Sequence, residues 1–179
     1  MKKFGILDKI ITMFALMSFS LWLGGSVIRM VIGFDIFEPG TAQLKGYSEP
    51  ISRHLAQLYA VTAPYVDFAF VIVFLASIYL LAKFHKQIKS KGWLFMSLVL
   101  VLIAAIPNFF LMYYDYNLVI AAAREGIRFE DPAIQKYFIE RFTKLNFLDP
   151  LITMSGFAIA AFFAFKPLDK KAIESPNED

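Results

Sequence analysis

Four long runs of apolar residues dominate the pattern along this chain, and shorter polar segments separate them. The runs cover about residues 10–33, 55–82, 93–121 and 147–165. About 20 helical residues cross the ~30 Å hydrocarbon core of a bilayer, so each run is long enough to span it. Backbone groups in lipid must pair within the segment, and the runs show no strand alternation, so they predict helices. We expect an all-α integral membrane protein, a four-transmembrane-helix bundle forming a single domain over residues 1–179.

Composition agrees with a membrane location and excludes cysteine chemistry. Of the 179 residues, 58% are hydrophobic and 17% aromatic, and the mean hydropathy is +0.57. Such a chain is too apolar for an ordinary soluble domain of this length. The absence of cysteine excludes disulfide bonds, thiolate metal sites and thiol redox chemistry.

The basic residues predict how the chain is oriented. Most lysines fall before the first run, between the second and third runs, or after the fourth: Lys2, Lys3, Lys9, Lys83, Lys86, Lys89, Lys91, Lys166, Lys170 and Lys171. Four crossings place all of them on one side, which the positive-inside rule makes the cytoplasm. We therefore expect both termini to be cytoplasmic and the protein to lie in a bacterial-type inner membrane. The first run is too long for a cleaved signal and has no A-x-A site after it, so we expect it to remain as a span.

The connection before the last run predicts a short amphipathic helix over about 132–144. Asp131 stands where a helix N-cap is expected, and Pro132 follows at the first helical position. Apolar residues then recur at near-helical spacing, at Ile134, Phe138, Phe142 and Leu145. We expect this helix to lie on the outer membrane interface. The same acid–proline pattern at 49–50 and 149–150 predicts the starts of the second and fourth spans, and the charged tail 169–179 is expected to be loose.

Four polar residues within the runs are candidates for a functional site. Counted at about 1.5 Å per residue from the cytoplasmic ends, Asp67 and Asn108 lie ~22 Å up, Arg29 ~28 Å and Asp115 ~33 Å. An ionised side chain at the bilayer centre is unfavourable by roughly 2.5 to 3.5 kcal/mol, less toward the interface. Arg29 lies within reach of both carboxylate levels, and a guanidinium suits a carboxylate well. We predict that Arg29 pairs with Asp67 or Asp115.

Two prolines and several tyrosines extend this prediction to a polar pocket in the outer half. Pro64 and Pro107 interrupt the second and third runs close to Asp67 and Asn108, which favours kinks that border a cavity. The expected ligand-binding or ion-pair pocket consists of Arg29, Asp67, Asn108, Asp115, Tyr65 and Tyr113.

Simpler interpretations of the same residues stay open. Tyr113 and its neighbours in "YYDYN" are also typical of an interfacial aromatic belt. Arg29 is long enough to reach the outer surface without a partner. Asp67 suits a ligand, proton or ion role, or a structural salt bridge.

The sequence predicts neither a metal site nor a cofactor, and haem in particular is not expected. Axial haem ligation needs histidine facing the bundle interior, whereas His54 and His85 stand at opposite ends of the second run. The scattered methionines indicate packing rather than soft-metal binding. Nucleic-acid binding is not expected either, because the lysines form short loops and no basic groove.

The segment "LWLGGSVIRMVIGFDIF" resembles the first helix of a broad group of bacterial membrane proteins that share an L-W-x-G-G motif. The group includes copper-resistance D-type proteins and has four or more spans, and "RFTKLNFLDPLITM" is similar to the approach to its last helix. The resemblance implies the four-helix architecture, with Trp22, Gly24 and Gly25 at a packing position. Relatives that handle haem or metal carry a histidine where this chain has "ITMFALMSF". Small-residue stripes at Gly156, Ala160 and Ala164, and at Ser20 and Gly24, predict helix packing seams.

Three classes of function remain, and the first is favoured. It is a non-enzymatic membrane protein with no catalytic residues, an accessory subunit or binding module of a larger membrane complex, or a homo-oligomer, held in the lipid bilayer. The second is a small transporter or proton or ion relay using Asp67, Asp115 and Arg29. The inner half of the second run offers such a path little beyond Ser77 and Tyr79. The third is an enzyme acting on a lipid or isoprenoid, with Asp67 as general base and Arg29 as anion clamp.

Overall fold

A computed structural model describes residues 5–38, 43–88, 91–145 and 147–167 of the chain. The tail predicted to be loose, 169–179, lies outside these residues. Within the described part, three long helices come first, namely α1 (Ile6–Ile36), α2 (Glu49–Ile88) and α3 (Gly92–Glu125). A short helix α4 (Pro132–Ile134) continues through a π-helical turn (Gln135–Ile139) into α5 (Glu140–Lys144), and α6 (Leu148–Phe165) follows.

Four of these helices, α1, α2, α3 and α6, are long and apolar enough to cross a membrane. Large apolar side chains lie exposed along them, including Leu21, Phe68, Ile106 and Met154. Such a surface fits lipid rather than water. The prediction of an all-helical chain with four helices able to span a bilayer is confirmed. The helices also continue into polar residues beyond the apolar runs, as α2 does at its Glu49 end.

The predicted helix starts agree with the structure at two places and to within one residue at the third. Asp131 caps α4, since its side chain accepts a hydrogen bond of 2.7 Å from the Ala133 amide. Helix α2 begins at Glu49. Helix α6 begins at Leu148, so Asp149 lies inside the first turn rather than at the N-cap. The Asp149 carboxylate accepts a hydrogen bond from Arg141 and does not cap its own helix.

The prolines do not interrupt their helices. Both α2 and α3 continue through Pro64 and Pro107, respectively. The irregular backbone in α2 lies at Phe84, with φ −113° and ψ 16°. Beside Pro107, the Asn108 side-chain amide donates to the Ala104 carbonyl at 2.7 Å.

The segment from α4 to α5, here called the α4–α5 segment (132–144), covers one end of the bundle. Its apolar residues Ile134, Phe138 and Phe142 are buried among side chains of α1, α2 and α3. The Tyr59 ring of α2 lies 5.6 Å from the Phe138 ring and 5.2 Å from the Phe142 ring, both edge to face. The apolar face of this segment therefore packs on protein, and the helical bundle gains a cap at this end.

Small residues bring the helices together at some predicted positions and not at others. A Cβ atom at Gly25 would overlap the Val66 side chain of α2, and one at Gly156 would come within 2.7 Å of Leu23. At Gly24 nothing lies within 4 Å of the added atom. Gly25 and the fully buried Trp22 therefore lie at helix contacts, as the family resemblance implies. Gly24 does not, because it is exposed on the outside of α1.

Charged residues join α1 and α2 at the opposite end, which we call the lysine-rich end because it carries Lys83, Lys91 and Lys166. Asp8 is 1% exposed. It accepts hydrogen bonds from the Lys83 ammonium at 2.6 Å and the Tyr79 hydroxyl at 2.7 Å. This group fixes the start of α1 against the last turns of α2.

Candidate functional site

A buried ion pair between α1 and α3 forms the centre of the candidate site. The two terminal nitrogens of the Arg29 guanidinium donate to Asp115, Nη1 to Oδ2 at 3.0 Å and Nη2 to Oδ1 at 2.6 Å. The side chains are 7% and 2% exposed. The structure thus pairs Arg29 with Asp115 and not with Asp67, and it excludes an unpartnered arginine reaching the surface. Two parallel bonds of this kind are the strongest common ion-pair geometry.

A second arginine, Arg141 of α5, completes the group. It donates through Nη1 to Asp115 Oδ1 and through Nη2 to Asp149 Oδ1, the latter at 2.8 Å. Burial alone would lower the pKa of the Arg141 guanidinium, but the carboxylates of Asp115 and Asp149 outweigh it and raise the pKa above its usual value. We call Arg29, Asp67, Asp115, Arg141 and Asp149 the charged cluster.

An aromatic ring supports both arginines of the charged cluster. The guanidinium carbons of Arg29 and Arg141 lie 4.2 Å and 5.2 Å from the centre of the Tyr59 ring. At these distances the negative face of the ring attracts a cation, and the attraction is stronger away from water. Tyr59 itself is fully buried. The Tyr59 ring therefore shields both guanidinium groups from solvent and stabilises their charge.

Among the described residues, Asp67 of α2 makes no hydrogen bond to the other members of the charged cluster. Two arginines balance the formal charges of Asp115 and Asp149, so Asp67 is the carboxyl of this cluster that lacks a matching cation. Its neighbour across the bundle is Asn108, whose side-chain oxygen accepts from the Trp22 indole at 3.3 Å. Asn108 is thus held between α1 and its own helix.

The charged cluster and Asn108 surround a small polar cavity. Its volume is about 20 Å³, and Ser26, Asp67, Asn108 and Asp149 are among its lining residues. A single water needs about 10 to 15 Å³, so the cavity has room for about one water molecule and none for an organic ligand. Several polar atoms nearby have no partner within the described part of the chain, among them the Tyr59 hydroxyl and Asp149 Oδ2. A bound water is the smallest group that would satisfy them.

Two residues of the predicted pocket lie elsewhere. Tyr65 is 66% exposed and Tyr113 is 56% exposed, and neither lines the cavity. Tyr113 instead contacts the rings of Tyr114 and Tyr137 edge to face. Of the six predicted residues, the structure therefore brings together Arg29, Asp67, Asn108 and Asp115, and the two tyrosines face outward from their helices.

Sequence reasoning missed Arg141 and the role of Asp149, although a signal was present for the first. Arg141 follows Ile134 by seven residues and Phe138 by three, so it shares the face of the amphipathic helix on which those buried residues lie. An arginine on an apolar face predicts a buried counter-ion. Asp149 precedes a proline, which is typical of a helix start, so its ion pair with Arg141 could not be predicted from this pattern.

Ion pairs within the chain join four members of the charged cluster, namely Arg29, Asp115, Arg141 and Asp149. Both oxygens of Asp115 accept from arginine, so this carboxylate has little capacity to take a proton from a substrate.

The histidines do not contribute to the charged cluster in the described part of the chain. His54 is exposed on α2, and the side chain of His85 lies outside the described part. In the described chain, no group of three or more His, Asp or Glu side chains converges as a metal site would require.

Comparison with known proteins adds no assignment to this geometry. The chain matches no protein-family model, and no curated protein or solved structure shows significant similarity to it.

Proposed function

We propose that this protein is a non-enzymatic integral membrane protein, a helical binding module that works as a subunit of a larger membrane assembly or as a homo-oligomer. The observation that carries the proposal is the charged cluster, whose ion pairs join α1, α3, α5 and α6, and whose two arginines pack on Tyr59 of α2. All of its charges except that of Asp67 are paired within the chain, and its cavity of about 20 Å³ is too small for a substrate. Such an arrangement holds helices in position rather than performing chemistry.

The proposal includes an orientation. Both termini and the lysine-rich end face the cytoplasm of a bacterial-type inner membrane, and the α4–α5 segment caps the bundle on the outer side. The lysine distribution supports this assignment, because cytoplasmic loops carry the excess of basic residues. The burial of Arg141 among the helix ends agrees with a segment that is part of the bundle cap.

A proton or ion relay is a second candidate, and one observation favours it. Asp67 lines the polar cavity and lacks a matching cation in the charged cluster. From this cavity toward the lysine-rich end, however, the described buried residues of α2 are apolar except Ser77, whose hydroxyl donates to the Val73 carbonyl of its own helix. An apolar lining of this kind opposes movement of an ion, so the structure supports a local proton site better than a pathway through the bundle.

The proposal is tested by the size of the particle that leaves the membrane. Membranes are cross-linked, extracted in a mild detergent, and measured by native mass spectrometry. We expect a mass well above the 20.4 kDa of one chain, corresponding to further copies or to other membrane chains. A preparation denatured before cross-linking controls for random collision. A lone 20.4 kDa species in the cross-linked sample contradicts the subunit proposal.

A further inference from the structure

A second and much larger cavity lies between the four long helices toward the lysine-rich end. Its volume is about 570 Å³, within the range of roughly 300 to 1,000 Å³ that is typical of small-molecule sites. Every spanning helix contributes to its wall, for example through Phe19, Val73, Val101, Ala160 and Phe163. The charged cluster lies outside it, since the two cavities share no lining residue.

The three hydroxyl groups in the wall of this cavity are not available as donors to a bound molecule. The hydroxyls of Thr12, Ser77 and Ser97 point into their own helices, where they donate to carbonyl oxygens at 2.8, 2.7 and 2.9 Å. Their hydrogens are therefore not offered to a guest. A water molecule needs two to four polar partners, which this lining does not supply, whereas a hydrocarbon chain needs none.

One end of the cavity has a different character. Lys91 lines it and is exposed at the start of α3. The Lys166 ammonium lies 5.7 Å from the ring centre of Trp93, which also lines the cavity. The Trp93 indole nitrogen is buried and has no hydrogen-bond partner in the described part of the chain. Two cations thus lie at this end of the cavity.

We propose that this cavity holds one hydrocarbon chain of an anionic membrane lipid. The chain fills the space between the helices, and the phosphate lies at the lysine-rich end, near Lys91 and Lys166. Charge complementarity selects an anionic headgroup over a zwitterionic one. A partner helix is about 10 to 12 Å across with its side chains, which is wider than a hydrocarbon chain, so a cavity of about 570 Å³ suits the hydrocarbon chain better. The site deepens the proposed binding module, and only the identity of the leaflet rests on the proposed orientation.

The first experiment measures lipid retention on the whole chain. The protein is reconstituted with either dioleoylphosphatidylglycerol or dioleoylphosphatidylcholine, returned to detergent, and examined by native mass spectrometry. We expect one phosphatidylglycerol to stay bound per chain at detergent concentrations that remove phosphatidylcholine. Equal retention of the two lipids overturns the headgroup part of the proposal, and retention of neither overturns the site.

Neighbouring alanines on α6 provide a matched pair of variants. Ala160 lines the cavity, whereas Ala161 is exposed on the outside of the helix. Ala160→Leu fills part of the space, and we expect it to weaken lipid retention by about 10-fold. Ala161→Leu adds the same atoms on the exposed face of α6, so lipid retention should remain unchanged. Lys91→Gln should reduce the preference for phosphatidylglycerol without emptying the cavity.

A fluorescence measurement on the unmodified chain covers the case in which the alanine variant fails to fold. Trp93 lines the cavity, and the other tryptophan, Trp22, is fully buried outside it. Phosphatidylglycerol with a dibrominated acyl chain should quench the Trp93 emission, and unlabelled lipid in excess should restore it. Emission that the brominated lipid leaves unchanged contradicts the proposal. None of these results depends on the mass of the cross-linked assembly, so the two proposals fail separately.

Discussion

At the scale of single residues, Asp115 is the side chain on which the charged cluster depends most. Its two oxygens receive hydrogen bonds from two arginines that come from different helices. A buried cation without its carboxylate is far less favourable than a buried pair. The stability of the end of the bundle that holds the charged cluster therefore depends on one carboxylate of α3.

Removing the charge of Asp115 is expected to destabilise the protein strongly. Asp115→Asn keeps the shape of the side chain and leaves Arg29 and Arg141 without their shared counter-ion, which should lower the free energy of unfolding by about 3 to 5 kcal/mol. Unfolding by a rising fraction of sodium dodecyl sulfate in mixed micelles measures it.

Asp35→Asn is the control for this comparison. Asp35 pairs with Lys45 at 2.9 Å, but its side chain is 47% exposed, and exposed pairs contribute about 0 to 1 kcal/mol. Equal losses in the two variants would contradict the assignment of Asp115 as the centre of the charged cluster.

The sequence predicted the depth of the site residues better than their direction. Counting residues along the apolar runs brought Arg29 and Asp115 to neighbouring levels because rise per residue is nearly constant in a helix. The same counting placed Tyr65 and Tyr113 at suitable levels, but level says nothing about which side of the helix a residue occupies. That depends on helix rotation, which tertiary packing sets.

At the scale of helices, the approach of α1 to α2 depends on a single glycine. A methyl group at Gly25 would overlap Val66, whose β-branched side chain has little rotamer freedom in a helix. Its neighbour in the sequence, Gly24, has open space around the same position. The two adjacent glycines therefore serve different purposes.

Alanine substitution should separate the two glycines. Gly25→Ala forces α1 and α2 apart, and overpacking of this kind is unfavourable by about 1 to 3 kcal/mol. Gly24→Ala meets no neighbour and gains helix propensity of up to about 1 kcal/mol. We expect Gly25→Ala to unfold earlier than Gly24→Ala in a thermal scan in detergent, and the reverse order would show that this contact is unimportant.

The helices themselves followed closely from the apolar pattern, whereas their contacts did not. Runs of about 20 apolar residues leave few alternatives to a spanning helix. The α4–α5 segment shows the limit of this reasoning, because an apolar stripe such as Ile134 and Phe138 suits a lipid surface and a protein surface equally. In the structure those residues lie against Tyr59 and its neighbours.

At the scale of the whole molecule, the four long apolar helices separate two groups of charged residues. Asp8 and Lys83 pair at the lysine-rich end, and the charged cluster lies toward the other. Between them lies the apolar cavity of about 570 Å³. The bundle is thus fixed at both ends by ion pairs around a region that only apolar contacts hold.

Single-cysteine labelling should show on which side each end lies. The chain has no cysteine of its own, so Ser48→Cys and Lys166→Cys each introduce a unique thiol. We expect a membrane-impermeant maleimide, which reaches the periplasm of intact cells, to label Ser48→Cys and to label Lys166→Cys only after permeabilisation. The opposite pattern would reverse the proposed orientation, and labelling of both in intact cells would contradict four crossings.

The long sequence separation within the Arg29–Asp115 pair has a consequence for biogenesis. The two residues are 86 positions apart, so the ribosome has delivered α1 and α2 to the insertion machinery before Asp115 has been synthesised. Arg141 and Asp149 emerge later still. A nascent chain that stops before α3 therefore holds Arg29 without the carboxylate that it pairs with in the folded protein, and Asp67 is the acidic side chain of the charged cluster that it still contains. We expect such truncated chains to be less stable than the whole protein.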